Sequence, residues 1–213
     1  MKVIGVNASP RKTWNTATLL GKALEGAASR GAQTGIVHLY DLDYKGCVSC
    51  FACKAPGGNS YGRCARQDGL TPLLDRIEAA DGLLLASPVY YGTVTGEMRS
   101  FMERLLFPYM TYTDPPGTLF PRRIKTGFIC TLGATEEMAK DRGFDRHIAV
   151  NEWFMQLIFG AAETLCSYDT LQFEDYSRVY APRFDPQKKA QRRAEVFPED
   201  CRKAFELGAR IAG

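Results

Sequence analysis

Val6-Asn7-Ala8-Ser9-Pro10-Arg11-Lys12-Thr13-Trp14-Asn15-Thr16-Ala17-Thr18 is the stretch that decides the fold. It follows the short apolar run Val3–Val6, which reads as a buried strand. It precedes Leu19, Leu20, Ala23, Leu24 and Ala27, an apolar stripe at helical spacing. A strand, a polar loop and a helix therefore follow one another. The loop delivers its side chains to a helix N-terminus, where unpaired N–H groups and the positive end of the dipole suit a phosphate. Ser9, Asn15, Thr16 and Thr18 offer short polar groups, and Arg11 offers a fork of donors to an anion. Neither a G-x-G-x-x-G fingerprint nor a phosphate-binding lysine motif is present, which argues against nucleoside triphosphatases and dinucleotide folds of the usual kind. Taken alone, the same residues also fit a plain N-cap with a solvated loop.

Working outward, four further apolar runs read as strands: Thr34–Leu39, Gly82–Ala86, Ile124–Thr131 and Thr164–Phe173. Continuous rather than alternating apolar runs suit strands covered on both faces. Helical stripes lie between them. Met98, Phe101, Met102 and Leu105 form one, and Val150, Trp153, Phe154, Leu157 and Ile158 another. Cys201, Ala204, Phe205, Gly208 and Ile211 form a last one, with Pro198 at or near its start. Gly208 has nothing to bury, so this stripe is the weakest. Strands alternating with helices predict a doubly wound parallel α/β sheet with right-handed crossovers.

The chain has 213 residues, which predicts one domain spanning 1–213. Two stretches read as insertions: a Cys- and Gly-rich one at 46–67 and a Pro- and aromatic-rich one at 107–123. A net charge of +3, evenly spread, argues against nucleic acid as a partner. No apolar run approaches a membrane span, and the N-terminus runs straight into the first strand without a leader pattern. The expected location is the cytoplasm. Thiols stay reduced there, so the seven cysteines are not read as a disulfide framework.

The third strand ends in Ala86-Ser87-Pro88-Val89-Tyr90-Tyr91-Gly92-Thr93-Val94-Thr95-Gly96. In an open α/β sheet, ligands sit beyond the carboxyl ends of strands where strand order reverses. Pro88 and Gly92 shape a backbone that a flat ring can approach, and two tyrosines offer aromatic faces. Ser-Pro-Arg with Asn-Thr after strand one, and Ser-Pro-Val-Tyr-Tyr-Gly after strand three, resemble the NADPH-dependent FMN reductase family and its iron-sulfur flavoprotein branch. The resemblance runs along the whole chain. It implies a flavodoxin-like, doubly wound five-stranded parallel sheet of order 2-1-3-4-5 with helices on both faces. It also implies that Ser9, Arg11, Asn15 and Thr16 hold the phosphate of FMN. By the same resemblance Pro88, Val89, Tyr90, Tyr91 and Gly92 line its ring, with Thr131 and Gly133 completing the pocket. A homodimer or homotetramer is implied too. Phe107, Tyr109, Tyr112 and Phe120 of the second insertion are the candidate contact surface.

Cys47-x2-Cys50-x2-Cys53, with Cys64 after ten residues, can place three thiolates and then a fourth on one [4Fe–4S] cluster. The iron-sulfur branch has such a run with a shorter final gap. A structural zinc, a redox-active dithiol, or no cofactor at all also fit the spacing. Cys130, Cys166 and Cys201 read as packed core thiols, and His147 as a packing histidine. Asp68 reads as a helix N-cap, and Trp14 as a neighbour of the phosphate loop.

Together these imply an FMN-dependent oxidoreductase that moves electrons from NAD(P)H to a flavin, quinone or other acceptor. The alternative is an FMN/[4Fe–4S] carrier fed by a ferredoxin-like partner. A flavin-free binding module is the non-enzymatic reading.

Overall fold

The computed structural model describes residues 1–213. Strands β1 (Lys2–Asn7), β2 (Gln33–His38), β3 (Gly82–Tyr90), β5 (Ile124–Thr131) and β6 (Gly160–Ser167) form a parallel sheet in the order β2-β1-β3-β5-β6. The two-residue strand β4 (Thr93–Val94) turns back antiparallel on the end of β3. Without that hairpin, the sheet is the expected five-stranded parallel arrangement. No helix is long and apolar enough to cross a membrane.

Helices α1 (Asn15–Ser29) and α7 (Phe197–Ile211) cover one face of the sheet. The other face is covered by α2 (Thr71–Glu78), α3 (Gly96–Leu106) and α5 (Phe144–Phe159), with the short α4 (Glu136–Asp141) leading into α5. The central strands read as apolar runs because both faces are buried: Gly82–Ser87 has no exposed residue. Helix α6 (Pro186–Glu195) has no apolar stripe and escaped the sequence reading. Asp185 caps it, Pro186 opens it, and its one buried side chain is Lys189.

Several boundaries differ from expectation. The last strand starts at Gly160 rather than Thr164 and ends at Ser167. Gly160, at φ +98°, stops α5 and starts the strand at once, which leaves 168–173 as a loop. On α5 the buried face is Ile148, Asn151, Met155, Ile158 and Phe159, so Val150 and Trp153 of the predicted stripe are half exposed. His147 is exposed rather than packed. Gly208 is not a weak point of α7 but its closest contact. A Cβ there would lie 1.7 Å from the Ala23 carbonyl oxygen, and one at Gly26 would lie 1.9 Å from that of Phe205. Two glycines thus let α1 and α7 cross with backbones touching.

The second insertion is only partly a surface. Tyr109 and Phe120 are buried, stacked edge-to-face with each other at 4.9 Å, and Phe120 packs on Phe159 at 4.8 Å. Tyr112 alone of the four predicted contact aromatics is largely exposed.

Candidate functional site

The loops after β1 and β3 emerge side by side, because Asn7 and Ala86 are register partners in adjacent strands. Thr95 fastens them. Its Oγ1 donates to the Ala8 carbonyl at 3.1 Å and caps α3 by accepting from Met98 N–H at 3.2 Å, while its own N–H donates to Ser87 Oγ. Ser9 holds its loop in shape: Oγ accepts from Arg11 N–H and donates to the Arg11 carbonyl, both at 3.2 Å.

One cleft at this carboxyl edge of the sheet is lined by Ser9, Arg11, Asn15 and Thr16 from the first loop and by Pro88, Val89 and Tyr90 from the third strand. Thr131 at the end of β5 and Gly133 in the loop beyond it close the cleft. Tyr91 and Gly92 are not brought in. They form the hairpin tip, both at positive φ, with the Tyr91 side chain fully exposed and Gly92 against the Phe144 ring. Trp14 lies on the rim, with Arg11 stacked 4.8 Å over its ring.

The phosphate-type end of the cleft is built around α1. No side chain caps this helix, although Asn15 and Thr16 in its first turn are buried, so its first N–H groups are left for an outside acceptor. Thr16 Oγ1 meets Thr131 Oγ1 at 2.7 Å, locking the helix start to the end of β5. Asn15 Nδ2 donates to the Leu171 carbonyl at 2.7 Å, and its Oδ1 accepts from Arg193 at 2.7 Å. Arg11 donates to the Gln172 carbonyl at 2.6 Å.

Sequence reasoning missed the wall formed by Thr170 and Gln172, which line the same cleft from the loop after β6. That loop was read as strand. The carboxyl end of the last strand was the available signal, since every such end opens on the ligand edge. Lys189 of α6 braces this wall: its ammonium donates to the Gly133 carbonyl at 2.9 Å and pairs with Asp169.

The four cysteines of the first insertion line a second, separate cavity, which is also lined by Glu103 and Arg104 of α3 and by Phe107 just past its end. The cavity lies beside the far end of α3, about 12 Å along that helix from its start at the hairpin. The loop after β2 therefore leaves the ligand edge but carries its thiols away from it. Cys47 and Cys50 are exposed, Cys53 is buried and Cys64 is half-buried. Ser49 and Phe51, both non-glycine, take positive φ (52° and 56°) between the cysteines. Ser49 N–H donates to Cys47 Sγ at 3.4 Å. Burial pushes the Cys53 thiol up, against the pull of Lys54. No three His, Cys, Asp or Glu side chains meet closely enough to hold a single metal ion.

Asp68 is not the N-cap of α2. It lies before the helix and accepts from Arg104, whose side chain is fully buried, at 2.5 Å, and from Arg66. Despite its partial desolvation, Arg104, the Leu70 N–H and Arg66 hold its carboxyl below the usual range. Cys130 and Cys166 face each other across β5 and β6, and Cys201 is half-buried.

Residues 1–122 match the model of a protein family described as NADPH-dependent FMN reductase. The chain belongs to that family. The chain is 36% identical over 135 residues to an iron-sulfur flavoprotein of Methanocaldococcus jannaschii, covering 63% of each chain. It is 36% identical over 109 residues to one of Archaeoglobus fulgidus, covering 51% of this chain and 47% of that one. The alignments thus span less than two thirds of these relatives' lengths. Across the fold as a whole, this FMN reductase family member is similar to an NAD(P)H:quinone oxidoreductase from Methanothermobacter marburgensis, with a TM-score of 0.69, 16% identity and coverage of 99% and 98%. It is also similar to an FMN-dependent NADH-azoreductase from Bacillus anthracis solved with FMN, with a TM-score of 0.65, 14% identity and full coverage of both chains.

Proposed function

We propose that this chain is an FMN-dependent oxidoreductase that takes electrons from NAD(P)H and delivers them to a flavin, a quinone or another acceptor. The carrying observation is the single cleft at which the uncapped start of α1 and the Pro88–Tyr90 backbone meet. The donor set fits a phosphorylated flat ring. Ser9, Arg11, Asn15 and Thr16, with the first N–H groups of α1, would hold the phosphate. Pro88, Val89 and Tyr90 would line the ring, with Thr131 and Gly133 opposite. FMN, when bound, supplies the hydride and electron chemistry itself. The residues around it bind and orient it, and the wall of Thr170 and Gln172 limits access of water.

A second reading has its own observation: four cysteines line one cavity. The residues fit a [4Fe–4S] cluster held by Cys47, Cys50, Cys53 and Cys64, and the relatives' name points the same way. In that form the chain would relay single electrons between the cluster and a flavin of its own or a neighbouring copy, with a ferredoxin-like protein as partner. We read the copies as a homo-oligomer and the location as cytoplasmic.

One experiment separates the readings. Protein prepared without oxygen is analysed for FMN, iron and sulfide, then mixed with NADPH under anaerobic conditions. FMN with rapid bleaching by NADPH supports the reductase. FMN with iron and sulfide, bleached by a reduced ferredoxin but not by NADPH, supports the relay. A colourless protein that takes up no added FMN refutes both.

A further inference from the structure

Two neighbouring residues of α3 reach opposite ends of the cysteine segment. Glu103 Oε2 accepts the Cys47 N–H at 3.1 Å. Arg104 Nε donates to Cys64 Sγ at 3.3 Å. The remaining Arg104 donors go to the Lys45 carbonyl at 3.2 Å, the Arg66 carbonyl at 2.9 Å and the Asp68 carboxylate at 2.5 Å. One guanidinium therefore ties the residue just before the cysteine segment to three residues at its far end. Its side chain has no solvent exposure at all. A charge buried so completely is costly unless its donors are matched, and here each of the three nitrogens has an acceptor.

The position of Cys64 in sequence makes this tether necessary. Ten residues separate it from Cys53, including the glycines 57, 58 and 62. Such a flexible loop would leave its last thiol free to wander, and closing it costs conformational entropy. The Gly62 N–H bond to the Cys53 carbonyl at 3.0 Å folds the loop back, but it fixes no sulfur. The hydrogen bond to the Cys64 sulfur comes from Arg104.

We propose that Arg104, seconded by Glu103, is the positioning residue that brings Cys64 to the Cys47–Cys50–Cys53 run and that its buried charge sets how readily the assembled site accepts an electron. This rests on the cluster reading above. An N–H bond from a cation to a sulfur ligand favours the more negative, reduced state of the site, because reduction adds charge next to the guanidinium. A residue that merely closed the loop would affect occupancy alone and leave the potential of the occupied site unmoved.

The test uses the full chain, reconstituted anaerobically with ferrous iron and sulfide, in wild-type form and as Arg104→Gln and Arg104→Lys. The readouts are iron, sulfide and FMN per chain and the midpoint potential followed by electron paramagnetic resonance. Wild type is expected to take up iron and sulfide in equal amounts. Arg104→Gln should fall below half that uptake while FMN content stays constant. The sites that do fill should show a lower potential, by about a tenfold change in the reduction equilibrium, which is about 59 mV for one electron. Arg104→Lys keeps the charge but not the fork, so its uptake should fall while the potential stays near wild type. Uptake and potential equal to wild type in Arg104→Gln overturn the inference and leave the cluster reading standing. If that variant loses FMN through misfolding, Arg104→Lys decides, and unreduced uptake overturns the inference. A wild-type chain that takes up no iron and sulfide sinks the cluster reading, and this inference with it.

Discussion

Replacing Gly26 by Ala should damage this protein severely, whereas the same change at Gly21, five residues earlier on the same helix, should not. At Gly26 the new Cβ would lie 1.9 Å from the Phe205 carbonyl oxygen and 2.7 Å from its carbon. These obstacles are backbone atoms of α7, so no rotamer change relieves them. The helices would have to part by more than 1 Å to restore contact distance, opening a gap along a buried seam that includes Leu19, Leu20, Ala23, Ala204 and Leu207. Overpacking of this kind costs about 3 kcal/mol, the upper part of the usual range, because the obstruction is rigid. For a domain of this size each kcal/mol moves Tm by about 2–4 °C, so a fall of about 6–12 °C is expected. At Gly21 a Cβ meets nothing within 4 Å. There alanine removes only the helix penalty of glycine, and stability should rise by up to about 1 kcal/mol. Thermal unfolding followed by circular dichroism at 222 nm reads both variants under one set of conditions. Equal Tm values for Gly26→Ala and Gly21→Ala would refute the claim that α1 and α7 touch through their backbones.

Asn15→Ala removes a cleft donor and frees the Arg193 guanidinium, so FMN affinity should drop about 10- to 100-fold, measured by quenching of flavin fluorescence, with little change in secondary structure. Lys189→Met leaves Asp169 and the Gly133 carbonyl without their ammonium. It should lower stability by about 3 kcal/mol and weaken FMN binding in the same preparation, checked by denaturant titration and flavin titration. Cys64→Ser should abolish iron and sulfide uptake while leaving FMN content at the wild-type level, which elemental and flavin analysis would decide.

The parts of the fold legible in the sequence were those whose burial is two-sided or whose loops carry special residues. The β3 run of Gly82–Ala86 has no exposed position, so nothing polar interrupts it. The end of β3 was not legible. Pro88 breaks the pattern of an interior strand, yet the strand continues to Tyr90 because the β4 hairpin supports it on one side. Helix α6 was invisible for the opposite reason. It packs through a buried lysine and two arginines rather than through an apolar face, so hydrophobic spacing gives no signal. In the cleft, nine of the predicted residues lie together because two short motifs and one strand end define them. Thr170 and Gln172 have no local pattern, and only the return of the chain after β6 brings them there. The Asp68–Arg104 pair joins residues 36 positions apart and was equally hidden.

The bond between Asn15 and Arg193 joins residues 178 positions apart, and the α1–α7 seam joins the same two regions of the polypeptide. On a ribosome, the early segment emerges long before its late partners exist. The cofactor cradle therefore cannot take its finished shape until the region of Arg193 and α7 has emerged, however early the first strands pair. Until then the chain is an empty, half-latched form, with the Arg193 bond and the α7 half of the seam still missing.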